Sequence, residues 1–197
     1  MDLGHLHLDF GLFAYVFGVI FAAELPGKTL FTVLLLSSRR HPIAVFYGAA
    51  AAFAVQSAIA VTFGRFFGLI PHRVIDIAAG LLFFGLAAAM WMRREAGGGD
   101  IHVEPENPTA FSRTITASFM TIFIAEWGDM TQLATAALEA HYKSPWTIYL
   151  SATAALWTAA ALAAIVGHRA KVHIHPRLLQ KAAAVAFVVV GLVLLLR

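Results

Sequence analysis

The sequence predicts an all-α membrane protein with six transmembrane helices, arranged as two inverted repeats of three helices each. Composition is the first reason: 60% of the 197 residues are hydrophobic and 13% are charged, whereas soluble domains carry about 25% charged residues. The second reason is that several apolar stretches reach the roughly 20 residues that a helix needs to cross a bilayer. The third is a single long polar segment, which divides the chain almost in half.

The first predicted repeat covers residues 1–92, and its first span contains the stretch Glu24-Leu25-Pro26-Gly27-Lys28-Thr29. Proline lacks a backbone donor and clashes with the preceding helical turn, and glycine adds conformational freedom, so we predict a helix break at Pro26 and Gly27. The chain before Asp9 has no lysine or arginine. It therefore lacks the basic start of a signal peptide, and we expect the first span to be retained. The three predicted spans are 10–36, 42–67 and 74–92.

A polar linker over residues 93–112 separates this repeat from the second, which covers residues 113–197. The linker is rich in glycine, proline and glutamate, as is typical of connecting segments. In both repeats an acidic stretch lies in the first span and a proline starts the second. Because each repeat has an odd number of spans, the second repeat enters the membrane from the opposite side, as in many secondary transporters. Its predicted spans are 113–138, 145–166 and 178–196.

The distribution of basic residues predicts the orientation, since cytoplasmic loops of membrane proteins carry an excess of Lys and Arg. With the N-terminus outside, nine such residues fall on the cytoplasmic side and four on the other. We therefore expect a multi-pass protein of the plasma or inner membrane, with both termini outside and the linker in the cytoplasm. The nine are Arg39, Arg40, Arg93, Arg94, Arg113, Arg169, Lys171, Arg177 and Lys181, and the four are Arg65, Arg73, Lys143 and Arg197.

Two carboxylates lie in the middle of the fourth predicted span, in the stretch Glu126-Trp127-Gly128-Asp129. A charge at the centre of a bilayer costs about 2.5–3.5 kcal/mol on insertion scales, so such residues are usually functional. On an ideal helix Glu126, Asp129 and Gln132 share a broad face. Thr131 falls elsewhere unless the helix unwinds near Gly128, which would also free backbone carbonyls to bind a cation. Without unwinding, the threonine is a helix-packing hydroxyl.

The two acidic stretches resemble a motif, Glu-x-Gly-Asp-Lys/Arg-Thr/Ser, that occurs twice in the transmembrane protein 165 family, also called uncharacterised protein family 0016. The second stretch matches the motif at Glu126, Gly128, Asp129 and Thr131, and Met130 replaces the basic residue. The resemblance also covers the six spans, the two halves and the central linker.

The first stretch is a variant of the same motif: Glu24, Lys28 and Thr29 match, whereas Pro26 stands for the glycine and Gly27 for the aspartate. Two complete motifs would contain four carboxylates and two cations, and this chain has three carboxylates and one cation. The formal charge is −2 in both cases, so we infer that the two changes compensate in charge, with one carboxylate fewer for coordination.

The resemblance implies a secondary transporter that exports Mn2+, or also Ca2+, in exchange for protons by alternating access. It implies no enzymatic activity and no tightly bound cofactor, and its partners are the cation, the proton and the lipid bilayer. A homo-oligomer is compatible with the sequence. Such cations favour hard oxygen ligands, and Lys28 would tune the pKa of a neighbouring carboxylate. The implied cation ligands are Glu24, Thr29, Glu126, Asp129, Thr131 and Gln132.

One rival class stays open, because an exporter of amino acids or other small organic solutes could have the same number of spans and use Lys28 to bind a substrate carboxylate. An enzyme is disfavoured, since the sequence has no His-Glu-x-x-His motif, no Gly-x-Ser-x-Gly elbow and no cysteine. The net charge of +3 makes no case for nucleic-acid binding. Outside the two stretches, we interpret Gln56 as a hydrogen-bonding link between helices and Asp76 as a solvated carboxylate near a helix start.

Overall fold

The computed structural model of the chain describes residues 9–25, 28–92, 111–169 and 176–196, and within them the protein is all-α. The helical class predicted from the sequence is confirmed. The described residues form eight helices: α1 (Phe10–Glu24), α2 (Lys28–Arg39), α3 (Pro42–Phe67), α4 (His72–Met92), α5 (Phe111–Ala125), α6 (Met130–Tyr142), α7 (Pro145–Arg169) and α8 (Pro176–Leu196).

Local sequence explains where several of these helices begin and end. Asp9 caps α1, because its Oδ1 accepts hydrogen bonds from the backbone N–H groups of Gly11 and Leu12 at 2.9 and 3.0 Å. Pro42 lies in the first turn of α3, where a missing N–H has no helical partner to lose. α6 ends where Lys143 adopts the left-handed conformation, with φ 51°. The bounds predicted for the second span, 42–67, are confirmed.

Each half of the chain contains a broken helix. α1 ends at Glu24 and α2 begins at Lys28, while α5 ends at Ala125 and α6 begins at Met130. The predicted break at Pro26 and Gly27 falls between α1 and α2, but both residues lie outside the described residues and the break at them stays a prediction.

The packing crosses between the two halves. α3 lies against both α5 and α6, and α7 lies against both α1 and α2. α3 and α7 also contact each other, and α4 pairs with α8. The Nε1 of Trp157 on α7 donates a hydrogen bond to the carbonyl oxygen of Ala50 on α3 at 2.9 Å. Each broken helix is thus supported by a continuous helix from the other half.

Two glycines bring α3 very close to the second broken helix. A Cβ added to Gly48 would lie 2.5 Å from the backbone oxygen of Ile115 on α5, and one added to Gly64 would lie 2.5 Å from the backbone oxygen of Ala136 on α6. No side chain fits at such distances, so glycine is required for this close approach.

Three of the described helical segments are long and apolar enough to cross a membrane: Pro42–Phe67, His72–Ala89 and Pro145–Ile165. The described residues also include three shorter apolar helices, Phe10–Glu24, Phe111–Ala125 and Ala184–Leu196. Large apolar side chains such as Leu69 and Ile124 are exposed on the surface of the bundle. The arrangement as six spans in two inverted repeats stays a prediction.

Candidate cation site

Two glutamates are buried where the broken helices are interrupted. Glu24 is the last residue of α1 and is 2% exposed, and Glu126 directly follows α5 and is 6% exposed. Ionised carboxylates lose their hydration when they are buried, and this loss is costly unless charge or hydrogen bonds offset it. Two such residues in an apolar bundle are therefore the first candidates for binding a cation or a proton.

The second break is a tight turn between Glu126 and Asp129. The backbone N–H of Glu126 still donates to the oxygen of Ile122 at 3.0 Å, and the N–H of Asp129 donates back to the oxygen of Glu126 at 3.1 Å. Gly128 has φ +72°, a conformation that glycine adopts without the steric cost that a Cβ imposes. The chain is unwound near Gly128, which is the condition under which Thr131 can join the site.

Asp129 lies at the N-terminus of α6 with an extended backbone, and its side chain makes no capping hydrogen bond. The helix dipole favours a carboxylate at this position. The Oγ1 of the buried Thr131 donates to Oδ2 of Asp129 at 3.4 Å. The unwinding therefore brings the threonine beside the aspartate, which the geometry of an ideal helix would not do.

Gln132 stabilises the turn in this structure. Its Oε1 accepts a hydrogen bond from the backbone N–H of Gly128 at 2.8 Å. For this oxygen to bind a cation, its hydrogen bond with the N–H of Gly128 would have to break. Gln132 stays a predicted ligand with a second role that the sequence did not indicate.

The structure leaves the remaining site predictions untested. Among the residues it describes, no group of three or more histidine, aspartate or glutamate side chains could hold a metal ion. Pro26 and Gly27 lie outside the described residues. Lys28 and Thr29 begin α2, and their side chains are also outside the description.

Gln56 links helices, as its sequence context indicated. Its Nε2 on α3 donates to the carbonyl oxygen of Phe123 in the last turn of α5 at 3.1 Å. This bond uses one of the two lone pairs of a carbonyl oxygen next to the break.

The interpretation of Asp76 as a solvated carboxylate is wrong. Its Oδ1 lies 2.6 Å from Nδ1 of His141 on α6, and the two side chains are 23% and 10% exposed. The pair joins α4 to α6 across 65 positions of sequence. Such a partner depends on tertiary packing, which a local pattern does not contain.

Sequence reasoning also missed Glu139, which is 1% exposed on α6. It follows Leu138, the last residue of the predicted span, and was therefore counted with the loop. Burial raises the pKa of the Glu139 carboxyl to about 7, while the charge of Arg65 and a hydrogen bond from the backbone of Ser144 act in the opposite direction. The spacing of Thr131, Thr135 and Glu139 by four residues was the signal that could have found it.

Comparison with known proteins places the chain in a family. The family described as divalent cation/proton antiporter GDT1 matches residues 12–98 and 114–197. The chain belongs to the divalent cation/proton antiporter GDT1 family. This confirms the resemblance seen in the two acidic stretches, and it identifies the family as one of transporters rather than enzymes.

Similar members of the GDT1 family come from plants and a cyanobacterium. Protein PAM71, chloroplastic, from Arabidopsis thaliana is 30% identical over 191 residues, which cover 84% of this chain and 50% of that protein. GDT1-like protein 1, chloroplastic, from Oryza sativa subsp. japonica is 31% identical over 169 residues, which cover 71% of this chain and 48% of that protein. GDT1-like protein sll0615 from Synechocystis sp. is 29% identical over 137 residues, which cover 62% of this chain and 66% of that protein.

The chain spans about half the length of the plant GDT1 relatives it matches. No solved structure matches the chain. The names of the plant relatives place them in the chloroplast. This finding contradicts the expected location in the plasma or inner membrane, which rested on a charge rule that reports orientation and does not distinguish one organelle from another.

Proposed function

We propose that this member of the GDT1 family exchanges a divalent cation for protons by alternating access, with Mn2+ as the main substrate and Ca2+ as a second one. The observation that carries the proposal is the pair Glu24 and Glu126. Each is buried, each lies at the end of a helix, and each belongs to a different half of an apolar bundle.

The proposed architecture is six spans in two inverted repeats, residues 1–92 and 113–197, joined by the linker 93–112. Two observations support it. The family matches two separate segments, one in each repeat. The two halves also pack reciprocally: α3 of the first half contacts α5 and α6, and α7 of the second half contacts α1 and α2. Broken helices at the interface of two repeats are where secondary transporters bind their ions.

The proposed ligands suit hard cations. Carboxylate, hydroxyl and amide oxygens bind Mn2+ and Ca2+, whereas soft sulfur ligands select other metals. Asp129 with Thr131 supplies such oxygens at the second break, and Glu126 supplies another. In the first repeat, Glu24 and Thr29 are proposed as oxygen ligands because they match the motif.

Proton coupling follows if each carboxylate binds either the cation or a proton. Burial favours the protonated form of a carboxyl group, and a neighbouring cation favours the ionised form. Lys28, which begins α2 four residues after Glu24, is the proposed charge-tuning cation for Glu24 or Asp129. The cation binds the ionised site on one side of the membrane, and protons displace it on the other.

The test is cation flux in proteoliposomes that contain the full chain. With an imposed pH gradient we expect Mn2+ uptake, slower Ca2+ uptake, and loss of both in Glu126→Gln. Asp9→Asn is the matched control, because it removes an exposed carboxylate and keeps an oxygen that can cap α1. Undiminished transport by Glu126→Gln would exclude that residue from the site. Inhibition of Mn2+ uptake by amino acids, or amino-acid flux in its place, would favour the solute exporter.

A further inference from the structure

A buried polar stripe runs along α6, away from the second break. Thr131, Thr135 and Glu139 follow one another at intervals of four residues, so they lie on one face of the helix, and all three are buried. Thr131 is hydrogen-bonded to Asp129, which joins the stripe to the candidate cation site. At about 1.5 Å of rise per residue, Glu139 lies about 12 Å along the helix from Thr131.

α3 covers this stripe and extends it. An added Cβ at Gly64 would lie 2.7 Å from the Cβ of Glu139, so α3 packs directly on the glutamate. Ser57 is seven residues before Gly64 and therefore on the same face of α3. It is buried, and its Oγ has no hydrogen-bond partner among the described atoms. A hydroxyl on α3 thus faces the same interface as the hydroxyls on α6.

Glu139 lies at the end of the bundle where α3 and α6 finish and α4 and α7 begin, which we call the α3–α4 end. One of its carboxyl oxygens, Oε2, has no hydrogen-bond partner among the described atoms. Arg65 on α3 and the backbone of Ser144 act on the carboxyl. A carboxyl that is buried but only partly compensated can exchange a proton within the physiological pH range.

Two pairs of titratable groups at the α3–α4 end contact each other. Asp76 is paired with His141, and the Nζ of Lys143 is 3.2 Å from Nε2 of His72. From 145 to 165, α7 contains no acidic or basic residue. The helices around Glu139 contribute nine titratable or charged groups at this end: Tyr15 on α1, Arg65 on α3, His72, Arg73 and Asp76 on α4, His141, Tyr142 and Lys143 at the end of α6, and Tyr149 on α7.

We propose that Glu139 is a proton-binding residue, separate from the cation ligands, that passes protons between the α3–α4 end and the carboxylates of the second break. A proton taken up by the Glu139 carboxylate leaves it for Asp129 along this polar stripe, and Glu139 returns to its ionised form. In this structure Oγ1 of Thr135 donates to the backbone oxygen of Thr131 at 2.7 Å, so that bond has to open when the Thr135 hydroxyl carries the proton. This inference rests on the proposed cation/proton exchange. It gives the protons a path of their own, separate from the path of the cation.

The experiment compares two fluxes in proteoliposomes that contain the full chain. The first is Mn2+ uptake driven by a pH gradient, which requires net proton movement. The second is exchange of radioactive for unlabelled Mn2+ at equal pH, which requires none. In Glu139→Gln we expect the first flux to fall by about 100-fold, as when a proton-transfer group is lost, and the second to stay within about twofold of wild type. Glu139→Asp restores part of the first flux.

Two further variants separate this role from a structural one. Asp76→Asn removes a carboxylate at the same end and is expected to keep both fluxes within about twofold of wild type. Arg65→Gln removes the cation that lowers the pKa of Glu139, so the pH midpoint of proton-driven uptake moves upward. The Arg65 measurement remains informative where Glu139→Gln does not assemble.

The outcomes distinguish the two proposals. A wild type with neither flux overturns the cation/proton exchange and the role of Glu139 with it. An active wild type and an equally active Glu139→Gln overturn the role of Glu139 alone. Three other results also overturn the role of Glu139. The first is an equal loss of both fluxes in folded Glu139→Gln, and the second is a loss of proton-driven uptake in Asp76→Asn as large as that in Glu139→Gln. The third is an unchanged pH midpoint in Arg65→Gln.

Discussion

The two segments that separate the paired helices, one in each half of the chain, differ in their residues. Between α1 and α2 the sequence carries a proline, which cannot donate to the helical ladder. Between α5 and α6 it carries Gly128, which turns the chain with φ +72°. Both breaks follow a buried glutamate, but the first stretch contains one acid and one base, whereas the second contains two acids and no base. The comparison indicates that the backbone interruption is common to both halves and that negative charge is concentrated in the second.

The largest expected effect comes from removing the acids of one break at a time. The double variant Glu126→Gln/Asp129→Asn leaves Glu24 and Lys28 as the charged residues of the two stretches, so the net charge of the site is zero. Attraction between buried opposite charges is worth several kcal/mol. We therefore expect proton-driven Mn2+ uptake to fall by more than about 100-fold. Glu24→Gln leaves a net charge of −1 and is expected to lose about tenfold. Flux in proteoliposomes measures both, and an equal loss in the two would contradict the concentration of charge at the second break.

A smaller effect is expected from restoring each motif to the family pattern. Met130→Lys changes the formal site charge from −2 to −1 and should weaken Mn2+ binding by about tenfold, whereas Gly27→Asp changes it to −3 and should strengthen binding by a similar factor. The combined variant returns to −2. Equilibrium binding of Mn2+ measures all three. Compensation in charge is refuted if the combined variant differs from wild type as much as the worse single variant does.

The smallest expected effect concerns the backbone of the second break. Gly128→Ala adds a Cβ in open space but in the left-handed conformation, so the cost is conformational and amounts to about 1–2 kcal/mol. We expect the thermal unfolding midpoint in detergent to fall by a few degrees. Gly85→Ala is the matched control, since it adds a Cβ in equally open space within a helix. An unchanged midpoint in Gly128→Ala would mean that the turn relaxes without strain.

Prediction from the sequence worked where the cause was local. Pro42 lies in the first turn of α3, where a proline acts only on its own backbone. Gln56 was identified as a link between helices because a polar side chain on a membrane helix needs a partner from a neighbouring helix.

Prediction failed where the cause was distant or lay at a boundary. The partner of Asp76 is 65 positions away, and no local pattern specifies it. Glu139 was missed because the span was bounded by hydropathy, which stopped at Leu138, while its burial comes from the contact of α3 at Gly64. The assignment of individual cation ligands stays a prediction, since Pro26 and Gly27 and the side chains of Lys28 and Thr29 lie outside what the structure describes.

The hydrogen bond from Trp157 to Ala50 places an optical reporter between the two halves of the chain. Indole emission depends on the polarity and hydrogen bonding around the ring, so a change in the contact between α3 and α7 alters its wavelength. The protein has four tryptophans, and replacing Trp91, Trp127 and Trp146 by phenylalanine leaves Trp157 as the only one. The emission of Trp157 then reports any change in the contact between α3 and α7 in real time, with no dye attached.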